Sequence, residues 1–202
     1  MMSQSIRQNA VVLALFALVT ALLLASTFLG TRDTIAASER RAAHKILLEI
    51  YPQETHDNDV LEDTVEIPVA YLATLGLKKS ANIHVARKDG EIIGFIIPAT
   101  APDGYSGDIR QITGINADGT VAGVRVLTHN ETPGLGDKLE LRKNPWILSF
   151  DGKALDNPAR GGWKVKKDGG VFDQFTGATI TPRAVVGKVL STLIFYQEHR
   201  GE

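Results

Sequence analysis

The 202-residue chain contains no cysteine. That absence removes disulfides, thiol chemistry, thiolate zinc sites and cysteine-ligated iron–sulfur clusters together, so any redox work must rest on an organic cofactor. It says nothing of compartment, since exported and cytosolic domains of this size both fold without disulfides. An excess of charge is lacking as well: 22 Lys and Arg face 23 Asp and Glu, a formal net charge of -1. No electrostatic footprint for a phosphate backbone is present, and nucleic acid is not expected as a partner. The chain also lacks internal repeats and low-complexity linkers. With 44% hydrophobic and 22% charged residues, its length fits one ordinary globular domain plus a short extra element, not two full domains.

Charge is missing altogether from Ala10 to Gly30, where the only polar residues are Thr and Ser. Their hydroxyls can bond back to helix carbonyls. A helix of about 20 residues crosses the ~30 Å hydrocarbon layer, whereas the apolar stretch of a signal peptide runs to roughly 7–15. A retained transmembrane anchor over residues 10–30 is expected, although the small residues from Ala21 to Ala25 are what a cleaved signal would show. Only Arg7 precedes the stretch, while Arg32, Arg40, Arg41 and Lys45 follow it. That cation bias, read alone, would put the following domain in the cytoplasm.

Beyond the anchor, Ile35, Ala42, Ala43, Ile46, Leu47 and Ile50 recur at helical spacing, which predicts an amphipathic connecting helix over residues 31–52 ending at Pro52. Residues 53–202 are expected to form one compact domain. The acidic stretch 56–66 has little period and reads as a surface loop or ragged edge. Runs of β-branched residues at 82–87 and 91–97 flank Lys88-Asp89-Gly90, and a second pair at 109–115 and 120–127 flanks the turn at 116–119. A four-stranded antiparallel sheet is expected. Short helices are predicted over 137–142 and 145–150, and strands at 163–166 and 171–172. The last helix is expected to have Thr181 as its N-cap, Pro182 in its first turn, and to continue to His199. Hairpins with flanking helices make the class α+β.

Candidate chemistry concentrates in residues 173–182, a hydroxyl-rich turn leading into that helix. Gly177 and Ala178 let a ligand approach the backbone, Thr176, Thr179 and Thr181 present hydroxyls, and a helix N-terminus can hold an anion. The same turn also reads as a helix-capping loop with surplus threonines. Thr132-Pro133-Gly134-Leu135-Gly136 is a stiffened turn that either presents its backbone to a flat ring or simply joins a strand to a helix. His129 and Glu131 make too small a set for a metal or acid–base site and read as a structural hydrogen-bonding pair. Tyr105 and Trp163 could stack on a ring or fill the core. Lys164, Lys166 and Lys167 read as a solvated strand face.

Asp173, Thr176, Gly177, Ala178 and Thr179 match the Asp-x-x-Ser/Thr-Gly-Ala-Thr signature of covalently flavinylated FMN-binding domains. With the loops at 104–109 and 129–138 included, the chain resembles the RnfG family, the FMN-bearing subunits of the Rnf-type (Rsx) ion-translocating electron transport complex, over nearly its whole length. A related domain occurs in a longer subunit of the sodium-pumping NADH:quinone oxidoreductase. The resemblance implies FMN attached by a phosphoester to Thr179, with Thr176, Gly177, Ala178, Thr132, Gly134 and Leu135 around it. It implies a flavin transferase that uses FAD as donor, electron relay of the ferredoxin/NAD type, other complex subunits and membrane lipid as partners, and no turnover by the chain alone. It further implies a bacterial inner-membrane protein with a cytoplasmic tail at residues 1–9 and a periplasmic flavin domain, against the cation bias. The rival reading is a non-redox structural anchor; a third is a sensory module holding its ligand non-covalently.

Overall fold

The computed structural model describes residues 2–200; Met1, Gly201 and Glu202, at the ends of the expected tail and domain, lie outside the described residues. Helix α1 (Met2–Leu48) is continuous, so the anchor segment and the connecting segment are one helix. Its hydroxyls are satisfied within the helix as expected: Thr20, Ser26, Thr27 and Thr31 donate to carbonyls three or four residues earlier at 2.5 to 3.0 Å. Bulky apolar side chains such as Val11, Phe16, Leu22 and Phe28 are exposed. It is long and apolar enough to cross a membrane, with a mean hydropathy of 2.6 in an 18-residue window. Residues up to Ala43 form one compact unit and residues from His44 onward a second.

The second unit holds an antiparallel meander of five strands: β1 (Thr64–Glu66), β2 (Asn82–Lys88), β3 (Glu91–Gly104), β4 (Gly107–Asn116) and β5 (Val121–Thr128). Asp89 and Gly90 both have positive φ, 52° and 82°, which matches the turn to the twist of β2 and β3. The four expected strands are present, and the acidic stretch adds β1 as a short edge. Strands β3 and β4 extend past the expected runs to Gly104 and Gly107, so Tyr105 and Ser106 form the tip of a long hairpin.

Alternation along the strands divides the sheet into two buried faces. On one, Ile97, Ala101, Ile109, Ile115 and Val124 belong to the same core as Val185, Val189 and Leu193 of helix α2 (Ile180–His199); a single helical turn at Val69–Leu72 is left unnumbered. The other face packs Ile96 and Ile112 with Leu47, Ile50 and Tyr51, which follow or close α1. Glycines admit this second layer. A Cβ on Gly94 would fall 1.9 Å from the Tyr51 hydroxyl oxygen, and one on Gly114 would fall 2.2 Å from Ile50 Cγ2. Helix α1 therefore ends at Leu48, before Pro52, where the chain turns to lay Ile50 and Tyr51 into that groove.

Two expectations fail around residues 163–172. No strands form there; a single bridge joins Val165 to Phe172, and Lys166–Asp168 is a 3-10 turn. The stretch is organised by aromatic packing instead, with Phe150 stacked on Phe172 at 4.7 Å and Trp163 at 5.2 Å from Phe172. The predicted helices at 137–142 and 145–150 are 3-10 turns over Gly136–Leu139 and Pro145–Phe150. On the α2-facing side of β4, Gln111 and Thr113 are fully buried, and neither the Gln111 amide nor the Thr113 hydroxyl has a hydrogen-bond partner among the described residues.

Candidate functional site

The turn before α2 is held from beneath by aromatic anchors. Phe175 is buried, its ring 5.0 Å from that of Trp146, and the Trp146 indole N–H donates to the Asp173 carbonyl at 2.7 Å. With Phe175 fixed, Thr176 and Gly177 are lifted into solvent at the centre of a turn closed by Ala178 N–H donating to the Phe175 carbonyl at 3.1 Å. Gly177 has φ 81°, the left-handed value this turn needs at its third residue. The chain then enters α2 through Thr179.

Thr179, not Thr181, is the N-cap residue, and its side chain makes no capping hydrogen bond. Its hydroxyl is left half-buried and chemically available. Thr181 falls inside the first turn because its hydroxyl points into the protein, where it donates to the Glu131 carboxylate. The first-turn N–H groups have no intrahelical acceptor, and the adjoining dipole favours negative charge by about 0.3–1 kcal/mol when exposed.

The loop at 129–138 lies against this turn. Thr132 closes it by accepting from Leu135 N–H and Gly136 N–H, each at 3.1 Å, with Gly134 at φ 78°. A Cβ built on Gly177 would sit 3.5 Å from Leu135 Cδ2, so the two glycine turns are in contact. The hairpin tip joins them: Ser106 N–H donates to Glu131 Oε1 at 2.8 Å. All three motif loops thus meet around one buried carboxylate. Of the expected flavin-site residues, Thr176, Gly177, Ala178 and Thr179 lie on one turn, and Thr132, Gly134 and Leu135 on the loop touching it.

Ion pairs brace the back of the loop. Lys143 bridges Asp137 at 3.0 Å and Glu140 at 2.6 Å, and Glu140 accepts from His129 Nε2 at 3.0 Å. Hydrogen bonds from Lys143 hold both carboxyls below the usual carboxylate range, and Gly134 N–H adds a further bond to Asp137. Glu131 N–H donates to His129 Nδ1, so this ring is neutral with its proton on Nε2. His129 and Glu131 are thus linked through a backbone N–H, while the Glu131 carboxylate turns to Ser106 and Thr181. On the other flank, Arg183 in α2 grips Asp168 with two bonds of 2.5 and 2.6 Å, and Lys166 pairs with Asp173 at 2.6 Å. The lysines expected on a strand face belong to this 3-10 turn.

The two aromatic candidates part ways. Trp163 is core, stacked with Phe150 and donating its indole N–H to the Ala154 carbonyl. Tyr105 is exposed at the hairpin tip, and Leu135 and Ile180 expose 42% and 43% of their surface on the other two loops. Exposed apolar side chains on three joined loops, beside a free threonine hydroxyl and a helix N-terminus, suit a group with a flat ring and a phosphate. The loops therefore fit FMN. Sequence reasoning did not single out Ser106, Trp146 or Phe175 for the site, and read Glu131 and Thr181 in other roles.

Comparison with known proteins agrees with this geometry. Residues 104–193 match the FMN-binding domain family and residues 1–50 match the RnfG N-terminal region. The chain is 47% identical over 197 residues to the RnfG-type subunit of the ion-translocating oxidoreductase complex of Pseudomonas aeruginosa (strain UCBPP-PA14), covering 98% of this chain and 91% of that protein. It is 46% identical to the same subunit of Vibrio vulnificus (strain YJ016), covering 98% and 93%, and 42% identical to that of Vibrio cholerae serotype O1 (strain M66-2), covering 98% and 94%. Among solved structures, the crystal structure of Shewanella oneidensis NqrC shares the fold, with a TM-score of 0.58 at 18% identity over 82% of this chain and all of that one. With identity of this level sustained from the apolar N-terminal helix through the three loops, the chain belongs to the RnfG family of ion-translocating oxidoreductase complex subunits.

Proposed function

We propose that this chain is a membrane-anchored flavoprotein electron carrier, one subunit of a membrane complex that couples electron transfer of the ferredoxin/NAD type to ion translocation, with FMN joined to Thr179 as a phosphoester. The observation that carries this reading is the Thr179 hydroxyl, left out of helix capping at the junction of three loops inside the matched FMN-binding region. When bound, FMN would supply one- and two-electron exchange, which a chain without cysteine or a metal-ligand cluster among its described residues cannot offer by itself.

The chain's own residues tether, orient and shield. Thr179 provides the linking oxygen, Thr176, Gly177 and Ala178 keep the approach to it open, and Thr132, Gly134 and Leu135 present the adjoining turn. An unassisted threonine hydroxyl is a weak nucleophile, so a flavin transferase with FAD as donor supplies the activation. The Thr179 oxygen bonds to the phosphorus of the FMN half, the pyrophosphate P–O bond breaks, AMP leaves and the hydroxyl proton is released. Asp173, exposed and paired with Lys166, is where the transferase would read the turn. Helix α1 anchors residues 10–30 in lipid, residues 1–9 form the cytoplasmic tail, residues 31–52 connect, and residues 53–202 form the flavin domain on the periplasmic face of a bacterial inner membrane.

The test is Thr179→Ala in the assembled complex. Electron relay predicts a folded, incorporated but colourless protein and loss of electron transfer. Full activity without flavin would favour a structural anchor instead.

A further inference from the structure

Glu131 is a charged residue in an unusual position. It is 5% exposed, and both carboxylate oxygens are engaged by neutral donors: Oε1 by Ser106 N–H and Oε2 by the Thr181 hydroxyl. None of the ion pairs among the described residues includes it. Burying an unpaired carboxylate is costly. A glutamine could make both contacts without that cost, its carbonyl accepting from Ser106 and its amide donating to the Thr181 oxygen. The surroundings are nonetheless shaped to admit Glu131. A Cβ on Gly136 would lie 2.8 Å from its Oε2 and 2.9 Å from the Thr181 hydroxyl oxygen, so Gly136 is needed where the carboxylate and the helix meet.

The three structures joined through Glu131 are those that matter to the site. Ser106 adjoins exposed Tyr105; Glu131 itself leads into Thr132–Leu135; Thr181 lies two residues beyond Thr179. We propose that Glu131 is the positioning residue of this site: its hydrogen bonds fix the three loops against one another, and its negative charge lowers the reduction potential of the flavin they hold. The sign follows from electrostatics, because a buried anion disfavours added electrons nearby and is weakly screened. This inference rests on the reading that Thr179 carries FMN.

The experiment compares full-length wild type, Glu131→Gln and Thr181→Val, each purified from a host containing the flavin transferase. Peptide mass reports attachment, flavin fluorescence anisotropy reports how firmly the ring is held, and spectroelectrochemical titration gives the midpoint potential. Glu131→Gln is expected to keep the mass increment and the anisotropy, with the potential shifted positive, a change that a purely structural role would not produce. Thr181→Val, near-isosteric but unable to bond to Glu131, is expected to lower the anisotropy and to move the potential less. A wild-type potential in Glu131→Gln, or wild-type anisotropy in Thr181→Val, overturns the inference while leaving the Thr179 assignment intact. An unmodified Thr179 peptide in the wild-type chain overturns that assignment and this inference with it.

Discussion

The Tyr51 phenol occupies the space that a side chain on Gly94 would need. A Cβ there would fall 1.9 Å from the Tyr51 oxygen and 2.7 Å from the Ile115 carbonyl. Tyr51 in turn donates to Asn116 Oδ1 at 3.1 Å, fixing the segment that leaves α1 onto the sheet. Burial, with smaller contributions from nearby Tyr196 and Asp118, pushes its phenol well above the usual range. Gly94→Ala should therefore destabilise the domain by roughly 1–3 kcal/mol, the usual range for overpacking. Gly161→Ala, with open space around it and no positive φ, should stay within about 0.5 kcal/mol. Thermal melts of the two variants check the contrast; equal melting temperatures would mean that Tyr51 is not locked in this groove.

Thr113 carries an unpartnered hydroxyl in a fully buried position. Thr113→Val keeps the shape and removes the desolvation penalty, which mutational data put at about 1–3 kcal/mol for such groups. The variant should melt at a higher temperature. A lower melting temperature would show that the hydroxyl is satisfied by buried water.

Asp137 and Glu140 both have folded pKa values lowered, chiefly by hydrogen bonds from Lys143. The sign is that of a depressed acid: stability is present above the unfolded values, about 3.9 and 4.3, and is lost as pH falls through the lower folded values. Lys143 is raised by the same pair, first by Glu140, so its share persists below its usual value and fades only in strong alkali. The loop at 129–143 should remain protected from hydrogen exchange at pH 5 and loosen below about pH 4. Lys143→Met should move that loosening to higher pH. An unchanged acid limit in the variant would contradict the ion-pair account.

Local patterns were legible in the residues alone, and long-range ones were not. The hairpins around Asp89-Gly90 and Asp118-Gly119, the apolar helix and the turn ending at Thr179 are each written within a few consecutive positions. Glu131 and Thr181 are 50 residues apart, and nothing local distinguishes a loop glutamate that turns inward from one that faces solvent. Thr181 looked like the cap because Pro182 follows it; burial of its hydroxyl against Glu131 moved the cap to Thr179. Gly94 and Gly114 read as weak points in strands, whereas they form the groove for Tyr51 and Ile50. Trp163 to Phe172 had strand-like composition, but aromatic stacking with Phe150 organises it in place of a ladder.

The central claim is a covalent flavin on Thr179, and peptide mass after full denaturation tests it most directly. Protein purified from a host with the flavin transferase should yield a Thr179 peptide heavier by one FMN minus water, surviving unfolding because the link is a phosphoester. An unmodified Thr179 peptide, with the flavin absent or released on denaturation, would contradict the account.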